Sequence, residues 1–248
     1  GDSNETETAD DTGEKKKAGT KLTALGALRA LCSSPKLLSL SDSDSAKAMA
    51  AAGLVPDDLG PKVQWLTTMA KVLQEDGERA LVFSYSRKMV KLLEEKLTAE
   101  GIRVVTYHGE TTEAERTIAV DEFQGVKNNI NPTIMLATDA ASEGINLGKR
   151  CSTVINLDLP WTPGNLEQRS NRVHRIDGTH ESYLVINVVL AGTVEPHIMG
   201  ILEEKSFLSD ALLGEERSPD ILGSEGKIKM NLIKTAFQRW ESTQNNEH

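Results

Sequence analysis

Residues 80–84 read Ala-Leu-Val-Phe-Ser, and this short apolar run between charged residues decides the fold of the chain. Such a run predicts a parallel strand that is covered on both faces. A helical stripe of apolar residues follows and ends at Gly101, and residues 103–107 then predict another strand. The alternation continues, because further strands are predicted at 133–137, 153–157 and 183–190. Alternating strands and helices predict an α/β fold of three layers, with helices on both faces of a parallel sheet and right-handed crossovers.

Helix signals separate these strands. Pro61 suits the first turn of a helix, and Thr112 with Glu115 forms a capping box for a helix that runs to Phe123. Residues 164–175 and 193–213 are also predicted to be helical. Residues 159–163 (Leu-Pro-Trp-Thr-Pro) form a rigid connection into the helix at 164, and we expect Trp161 to pack in the core rather than to stack.

The composition limits where and with what the protein works. Of 248 residues, 38% are hydrophobic and 26% are charged, and the net charge is −9, so any nucleic-acid contact must come from a local patch. The two cysteines, Cys32 and Cys151, are far apart in sequence, which makes a disulfide framework or a cysteine zinc site an unfavoured interpretation, and we predict no metal site within the chain. No apolar run approaches the roughly 18 residues of a membrane span, and no signal peptide opens the chain. We therefore expect an intracellular protein with no membrane partner.

The chain divides into five segments. Residues 1–19 are acidic and then lysine-rich, and we expect them to be disordered. Residues 20–60 form a helical lead-in and a loop, and residues 61–213 form the α/β lobe. Residues 214–226 are interpreted as a linker, and residues 227–248 as a basic amphipathic helix with a tail.

A clamp for phosphate is predicted after the fourth strand. Gln168, Arg172 and Arg175 are spaced at i, i+4 and i+7, which places them on one face of a helix. Two guanidinium groups on one edge suit the terminal phosphate of a nucleotide, where they neutralise charge that develops during phosphoryl transfer. The alternative is a solvated basic face with no ligand.

Other polar segments also follow predicted strands. Residues 84–87 (Ser-Tyr-Ser-Arg) open a helix, where hydroxyls and free amides suit phosphate, although Ser86 could serve only as a cap. Residues 108–111 (His-Gly-Glu-Thr) follow the next strand, and here a structural histidine is the alternative. Residues 138–147 follow the third strand and combine small residues with hydroxyls and acids. In parallel sheets, ligands bind at the carboxyl ends of strands.

These segments together resemble a known family. LVFSYS (81–86), YHGETTEAER (107–116), ATDAASEGINL (137–147) and LEQRSNRVHRIDG (166–178) resemble, in order, motif IV, the segment after it, motif V and motif VI of superfamily-two helicases and translocases. LRALCSSPKLL (28–38) with GPKVQWLTTMAKVL (60–73), and GTVEPHI (192–198), resemble the flanks of this lobe in the Swi/Snf-like branch. The resemblance covers roughly residues 21–212 and implies the second, C-terminal RecA-like lobe of such a motor.

Roles for single residues come from this resemblance. It implies that Arg172 and Arg175 are arginine fingers toward the γ-phosphate of ATP, with Gln168 beside them. It implies that Glu143, Gly144 and Asn146 link the ATP cleft to the nucleic-acid track. It also implies a row of contacts to the backbone of double-stranded DNA, from Ser84, Ser86, Arg87, His108, Gly109, Thr138 and Ser142. Backbone contacts support tracking that tolerates any sequence.

Two departures and one absence qualify the resemblance. Asp177-Gly178 replaces the family's usual Gly-Gln, and Ala141-Ser142 replaces a glycine pair, but neither change removes a clamp arginine. The sequence contains no GxxxxGK[ST] loop, so ATP and Mg²⁺ would be held mainly by an N-terminal RecA-like lobe. We therefore expect this lobe to be monomeric and inactive as an ATPase by itself. The alternatives are an RNA or DNA unwinding helicase of another branch, or a non-catalytic interaction module that uses the helix at 227–240.

Overall fold

The structure is a computed structural model. It describes residues 24–54, 56, 58–125, 133–142, 147, 150–173, 182–213, 234–235, 238–239 and 241–242, with only the backbone at 45, 141–142 and 207–213. The predicted tail at 1–19 and the predicted linker at 214–226 lie outside these residues. Of the predicted helix at 227–240, only four residues are described, and all four are helical.

Five strands form the sheet. They are β1 (Ala80–Phe83), β2 (Val104–Tyr107), β3 (Ile134–Ala137), β4 (Thr153–Asn156) and β5 (Leu184–Asn187). Their order is β2-β3-β1-β4-β5, and every neighbouring pair is parallel. All five strands were predicted within a few residues, and the predicted α/β class with a parallel sheet is confirmed.

The helices run between and around the strands. The described helical elements are α1 (24–33), α2 (Lys36–Ser39), α3 (Asp44–Ala51), α4 (Pro61–Glu75), α5 (Arg87–Ala99), α6 (Glu113–Gln124), a 3-10 turn (Asp139–Ser142), α7 (Pro163–Ser170) and α8 (Glu195–Leu213). Within the part of the chain that the structure describes, no helix is long and apolar enough to cross a membrane.

The central strand β1 explains why the sheet is covered on both faces. Ala80 and Val82 join one buried cluster, formed with α4 and α5. Leu81 and Phe83 point the opposite way and join a second cluster, formed with α6. Successive residues of a strand face opposite sides, so a fully apolar run requires apolar partners on each side.

Local signals set the ends of several helices as predicted. Pro61 is the first residue of α4, and the capping box of α6 is present, with Glu115 accepting from Thr112 N at 2.8 Å. Gly60, which caps α4, has φ +81°, and a Cβ there would lie 2.7 Å from Pro35 Cδ. Glycine is therefore required where the lead-in at 24–39 meets α4.

The predicted helix at 164–175 ends early, at Ser170. Asn171 N still bonds four residues back, to Glu167 O, but Arg172 N and Val173 N bond only three residues back, to Arg169 O and Ser170 O. The Arg172 carbonyl accepts instead from Leu147 N at 3.0 Å, and the Val173 side chain is buried beside Leu147. A tertiary contact thus replaces the next turn of helix, so the predicted helix is too long and Arg172 lies beyond its end, although Arg172 Nε still reaches the Gln168 carbonyl. Arg175 lies outside the described residues.

Candidate functional site

The carboxyl ends of the central strands meet at one edge of the sheet. Phe83 at the end of β1 pairs with Ala137 of β3 on one side and with Asn156 of β4 on the other. The segments that begin at Ser84, Thr138 and Leu157 therefore lie next to each other, although they are far apart in sequence. This edge collects the polar segments singled out in the sequence.

A buried arginine fixes α7 to this edge. Arg169 has no solvent exposure, and it donates from Nε to Asp139 Oδ1 at 2.7 Å. Its Nη1 donates to Asn156 Oδ1 at 3.1 Å and to the Asp158 carbonyl at 2.8 Å. Nη2 lies 2.6 Å from the same Asp139 oxygen in an ion pair, without a further aligned hydrogen bond. The guanidinium also lies over the Phe83 ring, 5.1 Å from its centroid.

Arg169 was missed by the sequence analysis, but a signal for it exists. Leu166, Arg169 and Val173 are spaced at i, i+3 and i+7, which is the spacing of a buried helix face. The charge of Arg169 favours the opposite interpretation, an exposed position, because arginine is rarely fully buried unless it is paired. The partners Asp139, Asn156 and Asp158 could not be assigned before the strands were placed side by side.

A second buried group, Asp158, is contacted by residues of α1, of α4 and of the segment after β1. Its carboxylate accepts from the hydroxyls of Ser33 and Ser84, and Lys62 Nζ lies 4.0 Å away. Lys62 Nζ also donates to the Leu157 carbonyl and to Glu195 Oε1, each at 2.6 Å. Buried charges need such partners, since unpaired charge in an apolar interior is costly.

Ser84 therefore has a different position from the one expected of a nucleic-acid contact. Its side chain is buried, with 1% exposure, and its hydroxyl is directed inward to Asp158. In this arrangement Ser84 holds the edge together and does not face a ligand.

The expectation that Trp161 packs in the core is wrong. Its side chain is 46% exposed, and the Arg29 guanidinium lies 4.4 Å from the centroid of its ring. The same guanidinium also lies 4.3 Å from the Tyr85 centroid. Burial lowers the pKa of Arg29 below its usual value, which the Asp158 charge opposes, and burial together with Asp158 raises the pKa of Tyr85 to about 12.

Two of the predicted ATP-cleft residues lie together at the end of α7. Gln168 is exposed and Arg172 is half-buried. Arg172 Nε donates to the Gln168 carbonyl at 3.0 Å, while its own carbonyl binds Leu147 N. Leu147 ends the segment 138–147, so Arg172 lies beside the end of that segment. Glu143, Gly144, Asn146 and Arg175 lie outside the described residues.

The predicted DNA-contact residues lie along the same edge, in the segments that follow β1, β2 and β3. The Ser86 hydroxyl caps α5 by accepting from Met89 N at 3.4 Å, and Arg87 beside it pairs with Glu110 in an exposed ion pair. His108 N donates to Thr111 Oγ1 at 2.9 Å, and Gly109 is exposed next to it. Thr138 is half-buried, and its amide donates to the Tyr107 carbonyl at 3.1 Å. For Ser142 only the backbone is described, in the 3-10 turn.

Arg172 gives this edge a donor that suits an anion. Arg172 donates to a neutral carbonyl, and a phosphate oxygen is a stronger acceptor for a guanidinium than a carbonyl is. Among the described side chains, no group of three or more His, Cys, Asp or Glu is placed to hold a metal ion.

Comparisons with known proteins agree with this geometry. The family of the helicase conserved C-terminal domain matches residues 61–177. An uncharacterized ATP-dependent helicase of Bacillus subtilis, YqhH, is 32% identical over 160 residues, which are 62% of this chain and 28% of that protein. The CHD3-type chromatin-remodeling factor PICKLE of Arabidopsis thaliana is 31% identical over 160 residues, 64% of this chain and 11% of that protein.

A solved structure supports the fold. The crystal structure of the C-terminal part of the Fun30 ATPase domain aligns with 73% of this chain and 54% of that chain, at a TM-score of 0.52 and 20% identity. The chain thus spans less than a third of the length of the two sequence relatives and about half of that structure. Residues 61–177 are a helicase conserved C-terminal domain. The chain belongs to the family formed by the second RecA-like lobes of superfamily-two helicases and translocases, in the Swi/Snf-like branch.

Proposed function

We propose that this chain is the C-terminal motor lobe of an ATP-dependent translocase that moves along double-stranded DNA. In this proposal Arg172 and Arg175 are arginine fingers, and Gln168 lies beside them in the ATP cleft with Glu143, Gly144 and Asn146. ATP and Mg²⁺ are held mainly by the N-terminal RecA-like lobe of the same motor, because this sequence contains no Walker loop.

The observation that carries the proposal is the anchored position of α7. Arg169 binds Asp139, Asn156 and Asp158 at once, so the helix cannot rotate without breaking several buried contacts. Gln168 and Arg172, on either side of this anchor in sequence, are thereby held at the edge where the strands end. A preorganised donor stabilises developing charge without reorganising at the moment of reaction.

Arg172 donates a hydrogen bond to the Gln168 carbonyl of the same lobe. A γ-phosphate brought by the other lobe would be a better acceptor for the guanidinium, and Arg172 would exchange the carbonyl for it. ATP, when bound, supplies the free energy that closes one lobe on the other, and hydrolysis releases that closure. In this proposal the guanidinium groups of this lobe neutralise charge on the phosphate, and the anchored α7 fixes the direction from which Arg172 approaches it.

The track for DNA is proposed along Ser86, Arg87, His108, Gly109, Thr138 and Ser142. The N-terminus of α5 suits phosphate oxygens, and the exposed Gly109 after β2 leaves room for a phosphate to approach the backbone. Ser84 is buried, and its hydroxyl donates to Asp158 instead of facing this row. Phosphate contacts carry no base information, so the proposed motor would move on any sequence.

The experiment replaces Arg172 with alanine in the complete motor. Turnover of ATP should fall about 10²–10³-fold with the dissociation constant for ATP nearly unchanged, since the finger acts in the transition state. Arg103→Ala is the matched control, because Arg103 is an exposed arginine that precedes β2, at the opposite end of that strand from His108.

Two outcomes would contradict the proposal. Unchanged turnover in Arg172→Ala would remove the arginine-finger role and favour a non-catalytic module. Stimulation of the parent motor by RNA but not by double-stranded DNA would keep the motor role and reject the proposed track.

A further inference from the structure

Arg29 lies outside the matched helicase domain and reaches into its site. It belongs to α1, and its side chain is only 7% exposed. The guanidinium carbon lies close to two rings, 4.3 Å from the Tyr85 centroid and 4.4 Å from the Trp161 centroid. Its Nη2 donates to the Leu159 carbonyl, 130 residues away in sequence.

This set of contacts requires an arginine. A planar guanidinium can stack on aromatic rings with both faces while its edge donates hydrogen bonds. A lysine ammonium could keep the charge but not the two ring contacts together with the hydrogen bond. Trp161 is 46% exposed, so the core does not enclose its ring, and the contact with Arg29 restricts where the ring can lie.

The segment that Arg29 holds leads directly into α7. Leu159 and Trp161 precede Thr162, whose hydroxyl caps α7 by accepting from Asn165 N, and Pro163 is the first residue of the helix. Pro160 and Pro163 restrict the backbone between these contacts. A displacement at Leu159 or Trp161 would therefore be passed to the start of α7 rather than absorbed by a flexible turn.

Arg29 thus complements Arg169. Arg169 fixes α7 near its end through Asp139 and Asn156. Arg29 fixes the segment before its start, and Ser33, one turn further along α1, contacts Asp158 in the same segment. The direction of α7 is therefore set at both ends. Arg169 holds the end of the helix to the sheet edge, and Arg29 of α1 holds the segment before its start.

We propose that Arg29 is a positioning residue for α7: acting through Leu159 and Trp161, it sets the direction in which the helix presents Gln168 and the turn after it that carries Arg172. The working unit of this lobe therefore begins with α1 and is larger than residues 61–177. The consequence for turnover rests on the proposed motor function, whereas the positioning itself does not.

The positioning is tested on this chain by tryptophan fluorescence. Trp65→Phe with Trp240→Phe leaves Trp161 as the sole tryptophan of the three in the sequence. Arg29→Lys in this background should increase quenching of Trp161 by acrylamide and shift its emission. Arg79→Lys is the matched control, because Arg79 is also 7% exposed, lies 5.9 Å from the Phe123 ring and donates to a backbone carbonyl, but precedes β1 at the other end of the strand. Equal quenching in parent and Arg29→Lys would overturn the inference.

The consequence is tested on the complete motor. Arg29→Lys should lower DNA-stimulated turnover about tenfold, because small misplacements of catalytic groups are costly, and should leave the KM for ATP within about twofold. Arg79→Lys should show a similar loss of thermal stability with turnover retained. An equal loss of turnover in both variants would mean general destabilisation and would overturn the role of Arg29. A parent motor without DNA-stimulated turnover would reject the proposed function, and the fluorescence result would still decide whether Arg29 orients Trp161.

Discussion

Replacing Arg169 with methionine tests how α7 is held. Methionine has a similar length and keeps contact with the Phe83 ring, but it has no hydrogen-bond donor. Asn156 Oδ1 and the Asp158 carbonyl would both lose the donor that now lies 3.1 Å and 2.8 Å away, respectively. Asn156 and Asp158 are buried, so water does not easily replace these bonds.

The magnitude follows from these contacts. A buried acceptor that loses its partner costs about 1–3 kcal/mol, so two of them cost about 2–6 kcal/mol. The Asp139 side chain is 43% exposed, so water can solvate it and the lost ion pair adds about 1 kcal/mol or less. We expect the free energy of unfolding to fall by about 2–6 kcal/mol at pH 7, mainly from the two buried acceptors.

The assay is urea unfolding of the 248-residue chain, followed by circular dichroism. Asp139→Asn is the comparison: its amide oxygen can still accept a hydrogen bond from Arg169, but the buried guanidinium loses the opposite charge, so we expect a loss of about 1–3 kcal/mol. The double variant should lose less than the sum of the two single variants, since the residues share one interaction. A loss below about 1 kcal/mol in Arg169→Met would show that α7 is held mainly by apolar packing, and the anchoring role would be abandoned.

Two further substitutions test charged contacts away from the end of α7. Lys71 and Lys96 bind Glu100 at 2.7 Å and 2.5 Å and lower its pKa from 4.5 to about 2, so Glu100→Gln should cost about 1 kcal/mol at pH 7, after allowance for solvent screening. Because the pKa of Glu100 is lower in the folded than in the unfolded chain, its ionised carboxylate stabilises the fold above pH 4.5. The difference in urea midpoint between the parent and Glu100→Gln should therefore shrink below pH 4.5 and vanish near pH 2. A difference that does not change with pH would contradict this. Lys62→Met leaves the buried Glu195 carboxylate without its 2.6 Å partner and should cost about 3–5 kcal/mol, and adding Glu195→Gln should recover part of that loss in the same assay.

The strands and most helix ends could be predicted because their signals are local. The run at 80–83 is apolar at every position, and the structure buries each of these residues, two on each face of the sheet. The capping box at Thr112 involves residues three apart, and Pro61 opens α4 through its own ring geometry. None of these signals depends on a partner far away in sequence.

The failures involve distant partners. The helix at 163–170 ends where the Arg172 carbonyl meets Leu147, and helical periodicity contains no information about that contact. Trp161 was expected in the core because it is large and apolar, whereas it is half-exposed against Arg29, 132 positions earlier in the numbering. The resemblance implied that Ser84 contacts the DNA backbone, whereas its buried hydroxyl donates to the Asp158 carboxylate.

The sequence alone determined the parallel α/β fold, the edge where its polar segments collect and the resemblance to a helicase C-terminal lobe. These follow from periodicity, turn chemistry and motif order, which are read within a few residues. Only the tertiary structure decided which polar groups are buried together: Arg169 with Asp139 and Asn156, and Arg29 with Tyr85 and Trp161. A buried charge is tolerated only where specific partners converge on it, and those partners come from separate strands and helices that the chain brings together only when it folds.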